Sequence, residues 1–339
     1  MTEPRPRPRA VLAMGPRTAR QVLDGRALAR LARLTDLDGG LVLDDLTTPA
    51  AHRALATAEL LITGWGCPPV DRAALDAAPR LRAIVHTAGT VRHHITEACW
   101  ERGIAVSSAA AANAVPVAEY TLAMILLANK RALDIARDYR AERRRVDWNE
   151  RYPDAGNYRR TVGILSASAI GRRVMALLRP HDLDILLYDP YLTADEARAL
   201  GARRVPLDEL FATSDVVSVH TPLLPGTRGL VSRELLAALR TGGTLVNTAR
   251  GAIVDQRALT DEALAGRLYA VLDVTEPDPL PADSPLYDCD HVLLTPHIAG
   301  STGGELRRLA DLAIGEVDRY VHGRPFAHPV RPEILDRSA

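Results

Sequence analysis

Three segments in the last third of the chain put ionisable side chains just past apolar, strand-like runs. They are Asn247-Thr248-Ala249-Arg250-Gly251, the stretch DVTEPDP from Asp273 to Pro279, and Thr295-Pro296-His297. In an open parallel sheet, ligands bind beyond the carboxyl ends of the strands, so the three groups are expected to converge on one cleft. An arginine there clamps a carboxylate with two hydrogen bonds. A histidine moves a proton near neutral pH, and a neighbouring carboxylate holds its ring in one tautomer. Together they read as reduction of a carbonyl that lies beside a carboxylate. Arg250 binds the carboxylate and polarises the carbonyl, and His297 protonates the oxygen as hydride arrives from a nicotinamide. An acid of the Glu276/Asp278 pair supports the histidine. Plainer roles stay open: Arg250 on a surface, His297 capping a loop, Glu276 and Asp278 in a solvated turn. His220 is assigned to structure and His86 is undecided, while His93 and His94 read as exposed residues opening a helix.

Such chemistry needs a dinucleotide, and Thr161 to Pro190 reads as the element that would hold one. Val162 to Leu165 is a short apolar run, as in a strand buried on both faces. Ile170, Val174, Leu177 and Leu178 recur at helical spacing, and Ile185 to Tyr188 is a second buried strand ending on Asp189. The spacing outlines a βαβ unit whose acid, about 20 positions past the turn, holds the adenosine ribose hydroxyls. Of the glycine fingerprint only Gly171 remains; Ser166 and Ser168 stand at the first two positions. Their hydroxyls can donate to phosphate alongside the helix N-terminal amides of Ser168, Ala169 and Ile170. A carboxylate at Asp189 repels a 2′-phosphate, so NAD(H) is expected over NADP(H).

The elements around these motifs alternate. Strand-like runs begin at Ala10, Gly40, Glu59, Leu81 and Ile104, with Ala/Leu/Arg-rich helical stretches between them. They describe a first α/β lobe with a parallel sheet, in which Gly64-Trp65-Gly66 and Ala88-Gly89-Thr90 sit at strand ends. Val117 to Leu133 reads as a long apolar helix crossing into the second lobe, followed by a charged, irregular stretch from Arg140 to Arg160. Further strands follow, and an amphipathic helix from Gly303 to Val321 is expected to return to the first lobe.

With 339 residues, two domains of ordinary size are expected. A formal net charge of zero argues against nucleic acid as a partner. No apolar run reads as a membrane span. The polar leader MTEPRPRPRA has no apolar core, so it is not read as a secretory signal. Cys67, Cys99 and Cys289 are widely spaced and odd in number, suggesting neither disulfides nor a metal site, and a cytoplasmic location fits.

The segments SDVVSVHTPLLPGTRGLV, TLVNTARGAIVD, AVLDVTEPDPLP and VLLTPHIAGST resemble, nearly residue for residue, the signatures of the D-isomer-specific 2-hydroxyacid dehydrogenases. That resemblance implies two Rossmann-like or flavodoxin-like α/β lobes with parallel sheets. An NAD-binding domain over 115–302 is inserted into a substrate domain formed by 1–114 and 303–339. It implies NAD as cofactor, a small 2-oxo or 2-hydroxy acid as substrate, Arg250 as the residue binding and polarising it, and His297 as acid/base. The family glutamate falls on Asp278, one methylene shorter, with Glu276 two residues upstream; Asp278 is preferred. Asp273 is implied near the nicotinamide carboxamide, Val117 facing the nicotinamide, and Thr221, Pro222, Thr248 and Ala249 along the adenosine and ribose path. Ala88 and Gly89 would offer amides to the substrate carboxylate. A homodimer is also implied. A competing expectation, prompted by the serine-substituted turn and the shorter acid, is a dinucleotide-sensing protein on the same scaffold.

Overall fold

A computed structural model of the chain describes residues 6–335. The start of the Pro/Arg-rich leader and the last four residues lie outside them. The chain forms two compact units. One takes the sequence up to Ala114 and again from Ser301; the other is Val115–Gly300.

In the first unit, β1 (Arg9–Ala13), β2 (Asp36–Leu43), β3 (Leu60–Thr63), β4 (Ala83–His86) and β5 (Ala105–Ser108) are parallel, in the order β2-β1-β3-β4-β5. Every residue of β3 and β4 is buried, as strands covered on both faces must be. The helix Leu306–Val321 lays Leu309, Ala310, Ala313, Ile314 and Val317 into the same apolar core as Leu12, Ile62 and Val85. Its Glu316 is buried and fully engaged. The carboxylate accepts from Ser107 Oγ at 2.8 Å, Ala327 N at 3.1 Å and His328 N at 3.2 Å. The chain end is thereby held beside β5, where Pro329–Val330 pairs antiparallel with Ser107 and Val106. No sequence pattern announced so short a strand.

One histidine departs from expectation here. His93 is exposed, but His94 is buried, 3% exposed, and no helix begins at it. Its Nε2 lies 3.2 Å from Thr63 Oγ1, and His86 Nδ1 lies 2.9 Å from the same hydroxyl, with the rings 4.4 Å apart. A partner 31 residues upstream, supplied by the sheet, explains why local sequence read this position wrongly.

The second unit is a seven-stranded parallel sheet. Its strands are β6 (Arg160–Leu165), β7 (Leu183–Tyr188), β8 (Arg203–Arg204), β9 (Val216–Val219), β10 (Thr244–Asn247), β11 (Tyr269–Leu272) and β12 (Val292–Leu294). The order is β8-β7-β6-β9-β10-β11-β12. Direction of progression reverses between β6 and β9, the switch point at which a doubly wound sheet opens a crevice.

The long helix runs over Ala110–Asn129, seven residues earlier than its apolar pattern suggested, and a second helix occupies Ala132–Glu142. Arg131 breaks them apart. It sits at φ 51 with its guanidinium 3.6 Å over the Tyr269 ring and bonded to Gly242 O, so tertiary anchoring overrides helix propensity. Part of the stretch read as irregular is therefore helical. Among the described residues, Ala110–Asn129 is also long and apolar enough to cross a membrane by length and composition, which the search for apolar runs missed. Ala118 and Ile125 bury it in the core of the second unit.

Candidate active site

β10 delivers Arg250 through a turn that its own last residue builds. Asn247 Oδ1 accepts from Ala249 N and its Nδ2 donates to Arg250 O, both at 3.0 Å. The side chain imitates a backbone turn and fixes the next three residues. Gly251 is dictated by space: a Cβ there would stand 2.0 Å from both C and O of Thr275, beyond the end of β11. The Arg250 guanidinium is half-buried and donates to Ala249 O at 2.6 Å. Burial alone lowers its pKa; no acid among the described residues opposes that shift. A sequestered cation without a counter-charge is costly unless an anion arrives.

β11 ends at Leu272, and Asp273 follows, 2% exposed. Its Oδ1 accepts from Thr295 Oγ1 at 2.7 Å and Ile298 N at 2.8 Å, and its Oδ2 accepts from Ala299 N at 2.9 Å. Asp273 O accepts from His297 N at 3.0 Å. This one residue ties down both sides of the loop after β12. His297 sits in that loop at φ 56 with Nδ1 3.2 Å from Asp278 Oδ2. Glu276 turns elsewhere, 3.6 Å from Arg228. Of the Glu276/Asp278 pair, Asp278 is the one placed on the imidazole.

The turn after β6 is closed by Asp189. Its Oδ2 accepts from Ala167 N at 2.9 Å and Ser166 Oγ at 3.3 Å, and its Oδ1 accepts from Tyr191 N at 2.9 Å. Ser166 occupies the first glycine position at φ 83, a conformation that costs an L-residue about 1 kcal/mol. Ser168 caps the helix Ala169–Leu178 by accepting from Gly171 N at 3.2 Å. That bond uses a lone pair of the hydroxyl and leaves its proton to donate. Gly171 is obligatory, since a Cβ would lie 2.1 Å from Ser166 O.

The other expected residues fall as follows. Thr221 Oγ1 donates to Leu165 O at 3.3 Å, next to buried Pro222, on the opposite side of the switch point from Asp189. Thr248 and Val117 are buried, joined through Thr121, whose hydroxyl lies 3.1 Å from Thr248 Oγ1 and donates to Val117 O at 2.7 Å. Ala88 and Gly89 follow β4 of the first unit, with Ala88 fully buried. His220 is buried against Ser218, and desolvation pushes its pKa down to about 3, so the ring is uncharged at neutral pH. Asn247 and Thr295, named in the strand-end segments, were given no role of their own, and Tyr120 was read only as part of the long helix; all three shape the site. Each is a polar residue at or beside an apolar run, which was their only signal.

Comparison with known proteins decides the lineage. Residues 122–299, more than half of the chain, match the family described as D-isomer specific 2-hydroxyacid dehydrogenase, NAD binding domain. The chain belongs to this family. It is 31% identical to glyoxylate/hydroxypyruvate reductase B of Pectobacterium carotovorum, over 89% of this chain and 92% of that protein. It is 33% identical to D-3-phosphoglycerate dehydrogenase of Mycobacterium leprae, over 69% of this chain and 44% of that one. The chain thus spans about half the length of the phosphoglycerate dehydrogenases it matches. Among solved structures, D-mandelate dehydrogenase of Rhodotorula graminis superposes with a TM-score of 0.79 at 26% identity, covering 96% of this chain and 98% of that one.

As a 2-hydroxyacid dehydrogenase family member, the chain carries an NAD-binding domain in its second unit, and NAD is its cofactor. The turn fits that role despite its serines. Gly171 keeps the first turn of the helix clear, the helix N-terminus faces the switch point, and the Ser168 proton is free to donate to phosphate.

Proposed function

We propose that the chain is an NAD-dependent oxidoreductase interconverting a 2-oxo acid and a D-2-hydroxy acid. The observation that carries this reading is Arg250, a half-buried guanidinium beside the nucleotide sheet with no acid partner among the described residues. A substrate carboxylate supplies the missing anion, and the guanidinium also polarises the adjacent carbonyl. NADH, when bound, supplies the hydride for the carbonyl carbon. His297 gives a proton from Nε2 to the carbonyl oxygen, while Asp278 accepts the Nδ1 proton and so keeps the ring presenting Nε2. In the reverse direction His297 takes the hydroxyl proton.

Ser168, Ala169 and Ile170 are assigned to the diphosphate and Asp189 to the ribose hydroxyls. Thr221, Pro222, Thr248 and Ala249 are assigned to the nucleoside path, and Val117 and Asp273 to the nicotinamide end. The Ala88–Gly89 turn is assigned to the substrate carboxylate. Exposed Leu127, Leu133 and Tyr139, on the helices Ala110–Asn129 and Ala132–Glu142, support a homodimer through those helices. The three free cysteines are compatible with a cytoplasmic location.

Steady-state kinetics on two variants test the assignments. Arg250→Ala is expected to raise KM for the acid and lower kcat/KM by ~100-fold or more. His297→Ala is expected to cut kcat by ~100-fold or more with KM for NADH unchanged. Turnover at the parent rate in either variant removes that residue from the mechanism.

A further inference from the structure

We infer that Tyr120, Thr295 and Asp273 form a positioning chain that holds His297 in its working conformation. The inference rests on the acid/base role given to His297 above. His297 combines two properties that do not stabilise each other. Its backbone is left-handed at φ 56, where a side-chain-bearing residue is disfavoured, and its side chain is 54% exposed. Packing therefore contributes little to the aim of the ring. Strained backbone persists only where its surroundings over-determine it, and the surroundings here are polar, with Asp273 buried and Thr295 and Tyr120 half-buried.

Behind the loop, Asp273 receives three side-chain hydrogen bonds from residues on both sides of His297: Thr295 Oγ1 before it, and the amides of Ile298 and Ala299 after it. The Thr295 hydroxyl has one proton and donates it to Asp273. Its 2.8 Å contact with Tyr120 is then a bond in which the phenol donates. Burial, the largest influence on the Tyr120 phenol, raises its pKa, so the donor keeps its proton across the physiological range. The chain thus runs from the helix Ala110–Asn129, through Tyr120, to Thr295, to Asp273, to the two amides past His297. Every acceptor in it is matched by a donor with no spare proton. Removing one hydroxyl takes a bond from a part-buried partner and loosens the hold on the segment before His297, letting the loop relax toward negative φ and swinging the imidazole off Asp278.

Tyr120, Thr295 and Asp273 are positioning residues in this scheme and exchange no proton with substrate. Three variants of the full-length chain test it: Tyr120→Phe, Thr295→Val and, as rescue, Thr295→Ser, which restores the hydroxyl alone. The first two are expected to lose roughly tenfold in kcat, because small misplacements of a catalytic group are expensive. KM for NADH should stay within about twofold, and Thr295→Ser should return near the parent kcat. Imidazole nitrogen NMR gives a readout independent of turnover. In the parent with NAD+ bound, where His297 is to accept the hydroxyl proton at Nε2, the neutral ring should show a single tautomer protonated on Nδ1. Tyr120→Phe and Thr295→Val should show a mixture, and Thr295→Ser the single form. If His297→Ala is inactive while Tyr120→Phe and Thr295→Val match the parent in kcat and tautomer, the positioning chain is overturned and the acid/base assignment stands. If His297→Ala is fully active, the acid/base assignment falls and takes the chain's purpose with it.

Discussion

Gly251, Ser166 and Asp189 define what single residues contribute. Gly251 lets the turn carrying Arg250 lie against Thr275 with no room for a methyl group. Gly251→Ala is expected to cost ~2 kcal/mol or more in urea unfolding, by forcing backbone against backbone. It should also lower kcat/KM by displacing the guanidinium. An unchanged midpoint would mean that the turn has slack the geometry denies. Ser166 illustrates the limit of reading such features from sequence. Its place in the fingerprint was legible, but its φ of 83 and its bond to Asp189, 23 residues later, arise only once β6 and β7 pair. Asp189 was read as an acid for ribose hydroxyls. In the fold it closes the turn through Ala167 N, so removing it should disturb the turn itself.

At the level of elements, the buried strands were easy to find because apolar runs of four to six residues bounded by polar turns have few alternative homes. Arg203–Arg204 and Pro329–Val330 were invisible for the opposite reason: two-residue strands carry no period. The second of these exists because Glu316 recruits it. Glu316→Gln replaces one acceptor oxygen by an NH2 that must face either the Ala327 amide or the His328 amide together with the Ser107 hydroxyl. A loss of roughly 1–3 kcal/mol is expected. Amides of residues 327–330 should exchange hydrogen faster while those of β3 and β4 are unchanged. Protection of 327–330 equal to the parent would place the hold on the chain end elsewhere. The helix break at Arg131 was likewise hidden, since its causes, the Tyr269 ring and Gly242 O, lie more than a hundred residues away in sequence.

For the molecule as a whole, buried neutral histidines set the acid limit. Desolvation lowers His94 to about 4 and His220 to about 3, and takes His86 well below its ordinary 6.5. In the unfolded chain all three titrate near 6.5. Above that pH neither state binds the protons, and their contribution does not vary. Below it the unfolded state takes up protons that the folded state refuses, so stability falls as pH drops from about 6.5 toward 4. Each histidine then removes about 1.4 kcal/mol per pH unit, or ~2 kcal/mol by pH 5. Urea unfolding at pH 7.5 and pH 5 should register the loss, and His220→Gln should make it shallower. Equal slopes in parent and variant would mean that His220 is not the neutral, buried group described.

The central claim is that the second unit's Arg250 and His297 serve a nicotinamide-dependent reduction. It is met most directly by the absorbance of NADH in the presence of the parent protein and a panel of 2-oxo acids at neutral pH. The account predicts a steady fall in absorbance with at least one acid, at a rate proportional to protein. NADH that binds with measurable affinity yet keeps its absorbance against acids with small, apolar, aromatic and phosphorylated side chains would contradict it, and would leave a protein that senses the dinucleotide without using it.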